Sequence, residues 1–220
     1  MIILLFSITL CICSAIDVTW GDTSREVLDF FSKKLELLTN KVQSSLPYSG
    51  FTLSVDTLPT QYQDCSGTPY YVIGDPLYNC ADPTLSNCST CNQYGCTYDS
   101  CTNKTGEAAY IDKFNTSLTI AYYKTSDSCD ETKLSVFYSM STVYCEPHSN
   151  PWETLYMRVT CSNKTAATVT RTYYTDENCT KKSTTNPATV YPVPKFERCY
   201  PATVLNGAFS GTFIPYCFGT

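Results

Sequence analysis

The sequence predicts a mainly β, disulfide-rich fold, with two tandem, related small β units behind an N-terminal amphipathic helix. Three observations lead there. Cysteines stand in even number behind a secretory leader. Several stretches alternate apolar and polar residues at period two. One phrase, YYKTSDSC at 122–129, returns as YYTDENC at 173–179.

The leader comes first. Residues 1–15, MIILLFSITLCICSA, carry no charge and are rich in Ile and Leu, with Cys13 and Ala15 as small residues at the −3 and −1 positions of a cleavage after Ala15. The run is shorter than the roughly 20 apolar residues a spanning helix needs. No later stretch is apolar enough to span a bilayer, and the C-terminal GAFSGTFIPYCFGT lacks the hydrophobic tail of a GPI signal. The expected location is therefore secreted and extracellular, with no stable membrane insertion after cleavage.

Segment 16–47 holds the one helix. Val27, Phe31, Leu35, Leu38 and Val42 recur on a single stripe, Thr23 and Glu26 fit a capping box, and Pro47 ends it. A lone short amphipathic helix depends on tertiary packing, so this one is expected to lie on the body of the same chain.

Segment 48–106 reads as a disulfide-tied loop region and a possible degenerate repeat. Cys88, Cys91, Cys96 and Cys101 crowd its second half, where apolar residues are few. Segments 107–161 and 162–220 read as β unit 1 and β unit 2. Strands are expected within 133–145, 153–161, 166–175 and 188–199, the last an edge strand because of Pro192 and Pro194.

The echo extends into the cysteine spacing. Cys129, Cys145 and Cys161 are separated by 16 and 16 residues, and Cys179, Cys199 and Cys217 by 20 and 18. Each middle cysteine opens a C-x-P, Cys145-Glu-Pro and Cys199-Tyr-Pro. This predicts an internal duplication. A weaker third copy is expected to use Cys65, Cys80 and Cys88. Of the fourteen cysteines, Cys11 and Cys13 fall in the leader and twelve remain, all expected in disulfides. Each unit has three, an odd number. If those six pair among themselves, an odd number of bridges must join the units, while Cys65, Cys80, Cys88, Cys91, Cys96 and Cys101 pair locally. Sequons at Asn87, Asn103, Asn115, Asn163 and Asn178 predict surface glycosylation, with a cysteine inside those at Asn87 and Asn178.

Catalytic signatures are absent from the sequence. The single histidine, His148, sits in CEPHSNPW, read as a surface loop, and there is no G-x-S-x-G. Zinc on Cys88, Cys91, Cys96 and Cys101 is disfavoured by an oxidising compartment, so neither metal nor cofactor is expected. Paired carboxylates leave no local motif to read. A net charge of −5 and a pI near 4.8 argue against nucleic-acid partners. The expected function is non-catalytic: a structural or assembly component of an extracellular coat, matrix or cell surface, with self-assembly or another extracellular protein as partner. The alternatives are a carbohydrate-binding module, stacking tyrosines and Trp152 on glycan rings, and a secreted inhibitor or ligand.

Overall fold

A computed structural model describes residues 49–81, 87–92, 95–124, 126–150, 153–162, 167–193, 195–204 and 210–219. The expected leader and the helix of segment 16–47 lie outside the described residues.

The described chain is mainly β. Twelve strands form among these residues: β1 (Gly50–Thr57), β2 (Pro69–Leu77), β3 (Asn87–Asn92), β4 (Gly95–Thr102), β5 (Ser117–Tyr123), β6 (Val136–Ser141), β7 (Glu146–Asn150), β8 (Glu153–Ser162), β9 (Thr168–Tyr174), β10 (Thr189–Pro192), β11 (Tyr200–Pro201) and β12 (Thr212–Phe218). One turn of α-helix, α1 (Glu107–Tyr110), precedes β5. Two antiparallel sheets result. The larger has the order β11-β12-β5-β6-β2-β1-β4-β3, and the smaller β10-β9-β8-β7.

The core explains the layering. Every residue of β5 and β6 is buried, so these strands are covered on both faces. Successive side chains of a strand point to opposite faces. On one face Leu118, Ile120, Tyr122, Tyr138 and Met140 meet Met157, Val159, Val169 and Tyr191 of the smaller sheet. On the other, Ala121, Tyr123 and Phe137 join Phe51, Leu53, Val55 and Val72 beneath Ala109, Tyr110 and Phe114. Glu131 fastens that covering layer. Its carboxylate accepts hydrogen bonds from the Tyr123 hydroxyl at 2.7 Å and the Tyr110 hydroxyl at 3.4 Å.

Segment 48–106 differs from its expectation as a loop region. It contributes four strands, half of the larger sheet. In β1 the core face is supplied by Phe51, Leu53 and Val55, an alternation at the strand period. In β3 and β4 the apolar contribution is slight, and the ladder is held by backbone pairing together with the disulfides 65–88, 80–101 and 91–96.

One strand order recurs through the whole described chain. Taken in consecutive fours, the strands stand as third, fourth, first, second. The quartet β1–β4 is closed on itself as β3-β4-β1-β2. The other two quartets exchange halves, giving β11-β12-β5-β6 in one sheet and β7-β8-β9-β10 in the other. Residues 107–161 and 162–220 therefore do not fold as two successive sheets, and β8 pairs with β9 across the expected boundary. Registers correspond too. Cys217 faces Leu118, and Cys161 faces Val169. Pro201 faces Thr212 as Pro147 faces Tyr156. The eight-stranded sheet is two such quartets joined second strand to second strand, β6 to β2, over Tyr71↔Met140 to Gly74↔Phe137.

Candidate functional site

The repeated phrase forms the same local device twice. Its Tyr-Tyr closes β5 at Tyr123 and β9 at Tyr174. The chain then turns, and the cysteine that ends the phrase takes a left-handed conformation, φ 49° at Cys129 and 51° at Cys179. A non-glycine residue is strained there by roughly 1–3 kcal/mol and needs support. The Cys129 N–H donates to Thr212 Oγ1 at 3.1 Å. The Cys179 N–H donates to the Asp176 carbonyl at 3.1 Å. The Asp176 carboxylate also accepts the Thr180 hydroxyl at 2.7 Å and the Lys181 N–H at 2.6 Å. Each cysteine then anchors its turn to the other stretch, 129 to 199 and 179 to 145. The third bridge, 161 to 217, ties β8 of one sheet to β12 of the other. Exchanging the two stretches maps this set of bridges onto itself. Within residues 65–101 the six remaining cysteines pair among themselves.

A second constellation lies where the turn after β1 meets β3 and β4. The Sγ atoms of Cys65, Cys88, Cys91 and Cys96 all lie within 4.8 Å of one another. They form the disulfides 65–88 and 91–96, and the non-bonded Cys88 and Cys91 sulfurs approach to 3.6 Å. Residues three apart on a regular strand face opposite sides, but the register of β3 against β4 shifts between Cys88 and Thr90. That irregularity brings Cys88 and Cys91 together. Sequence spacing alone groups the thiols of Cys88, Cys91, Cys96 and Cys101. Cys65 takes the place of Cys101, which is five residues from Cys96 along β4, on the opposite face, and is bridged to Cys80.

A narrow crevice between the sheets, too tight to hold a water molecule, is lined by Tyr70, Met140, Ser141, Tyr144, Glu146, Met157 and Val159. Pockets that enclose a drug-sized ligand run to roughly 300–1,000 Å³, so the crevice encloses no such ligand in this conformation. Glu146 is its one carboxylate. Burial pushes the Tyr70 phenol well above its ordinary range.

His148 lies in β7 rather than in a loop, because Pro147 is accommodated at the sheet edge. Its ring packs on Tyr173 at 5.3 Å. Burial and the Arg171 guanidinium both lower its pKa. A depressed folded-state value means that stability from this group is present above the unfolded pKa of about 6.5 and is lost as the pH falls through the folded value. Urea midpoints measured between pH 8 and pH 5 are expected to fall with acid, and His148→Gln to flatten that part of the curve.

The sequons divide. Asn103, Asn115 and Asn178 are exposed, Asn87 stands at the start of β3, and Asn163 lies outside the described residues, as does Trp152. Asn103 is already engaged. Its Oδ1 accepts the Cys80 N–H and its Nδ2 donates to the Cys80 carbonyl, both at 3.0 Å. Asn103→Ala removes two hydrogen bonds that hold the chain at the 80–101 bridge. A loss of about 1–2 kcal/mol in denaturant unfolding is expected.

No family model matches this chain, and neither a curated protein nor a solved structure is found to be similar to it.

Proposed function

We propose that the protein is a secreted, glycosylated, non-catalytic component of an extracellular coat, matrix or cell surface, built from three copies of one four-stranded unit. The observation that carries this reading is the recurrent strand order. The unit meets copies of itself in two ways within one chain, by exchange of halves and by joining of second strands. A module that pairs with its own copies suits assembly. The copies also have a common cysteine frame. Cys101, last but one in β4, takes the place that Cys161 and Cys217 hold in β8 and β12. The third copy therefore uses Cys65, Cys80 and Cys101, and Cys88 is an addition to it.

Six disulfides support an oxidising location. Among the described residues no helix is long and apolar enough to cross a membrane. Native mass measurement and electron microscopy of the secreted protein over a range of concentrations test the reading. Ordered oligomers or lattices are expected. A chain that stays monomeric at every concentration and binds one soluble protein partner overturns it in favour of an inhibitor or ligand.

Carbohydrate binding draws support from the exposed rings of Tyr62, Tyr78 and Tyr144, the last beside Glu146 at the crevice between the sheets. Glycan-array binding lost in Tyr144→Ala would favour this second reading.

A further inference from the structure

We propose that Cys65, Cys88, Cys91 and Cys96 form a thiol–disulfide exchange centre, in which a small monothiol converts the pairing 65–88 and 91–96 into 65–96 and 88–91. Four features place this chemistry here and not at the other bridges. All four sulfurs lie within 4.8 Å of one another, so each can reach any other with small side-chain rotations. The contact between the two bridges, Cys88 to Cys91, is 3.6 Å. Cys88 is exposed while Cys96 is buried, so an external thiolate meets Cys88 first. The residues Cys88-Ser-Thr-Cys91 form a C-x-x-C, the spacing that permits a bridge between near neighbours, and the register shift of β3 gives them a common side.

The steps balance without an oxidant or reductant. The monothiolate attacks Cys88 Sγ, the 65–88 bond breaks, and Cys65 leaves as thiolate. Cys65 attacks Cys96 Sγ, forming 65–96 and releasing Cys91 as thiolate. Cys91 attacks Cys88 Sγ, forming 88–91 and expelling the monothiolate unchanged. Two disulfides exist before and after. The result moves the covalent hold on the β1 turn from the outermost strand β3 to its inner neighbour β4, so that β3 keeps only its ladder and the short 88–91 loop. The proposal does not depend on the assembly reading.

The test uses the folded, full-length secreted protein. It is incubated with millimolar glutathione at neutral pH, quenched with acid and alkylating agent, and its bridges are mapped by mass spectrometry. Peptides joined by 88–91 and 65–96 are expected to reach about a tenth or more of the total, the ratio for pairings within about 1.4 kcal/mol of each other. The bridges 80–101, 129–199, 145–179 and 161–217 are expected to stay intact. Retention of 65–88 and 91–96 alone overturns the proposal. So does the pairing 65–91 with 88–96, which would bypass the 3.6 Å contact, and so does scrambling that spreads to all six bridges.

Discussion

Phe137→Ala lowers stability by about 3–5 kcal/mol, among the largest single losses expected in the described chain. The ring is fully buried, packs edge-on against Phe51 at 5.0 Å and tilts over Tyr110 at 4.8 Å. It also covers Gly74, its partner across the β2–β6 joint. A Cβ added at Gly74 would lie 2.0 Å from Phe137 Cε1. Gly74→Ala therefore overpacks the site and costs about 1–3 kcal/mol in the native background. In the Phe137→Ala background the space is open, and the same glycine change is nearly neutral. The double-mutant cycle in urea should give a coupling of about 1–3 kcal/mol. Additive effects would mean that the ring does not seat on this glycine, and the joint between the quartets would need another explanation.

Removing the 161–217 bridge as the double variant Cys161→Ser, Cys217→Ser costs about 4 kcal/mol by loop-closure entropy for its separation of 56 residues. Both cysteines are replaced so that no odd thiol remains to exchange. The bridges 129–199 and 145–179 occupy equivalent places, with separations of 70 and 34 residues. Entropy depends only on the logarithm of that length, so their removal should cost the same within about 1 kcal/mol. Thermal or denaturant unfolding of the three double variants checks the set. A large difference between the two equivalent bridges would count against equivalence of the turns at Cys129 and Cys179.

Much of the β content was legible, because period-two alternation is a local property. The stretches 133–145, 153–161, 166–175 and 188–199 hold β6, β8, β9 and β10. Pro192 marks β10 as an edge, and the smaller sheet ends there. β1 is also readable from the alternation of Phe51, Leu53 and Val55, whereas the dense cysteine, proline and serine downstream of it carry no such period. β3 and β4 were not readable, since Asn, Ser, Thr and Cys give no apolar period. Their pairing is fixed by backbone hydrogen bonds and bridges. The Tyr-Tyr…Cys echo did report a repeated turn. It had no means of reporting that β5 pairs with β12 and β8 with β9, because local sequence encodes a strand and its turn, whereas the choice between equivalent partners belongs to the connections. The cysteine cluster was half visible. The C-x-x-C was plain, but Cys65 joins it only through the turn after β1, and Cys101 is carried to the other face.

The exchange of halves has a consequence for synthesis. β5 leaves the ribosome long before β12, its partner in the larger sheet, and waits beside β6 with one edge open. The quartet β1–β4 needs nothing from later in the chain to close its own ladder. Non-local pairing is slow and exposes the chain to aggregation, so the second half is expected to close later than the first. Pulse-labelled chains should show 80–101 closed while 161–217 is still open. The reverse order would mean that the first quartet cannot stand before the others assemble around it.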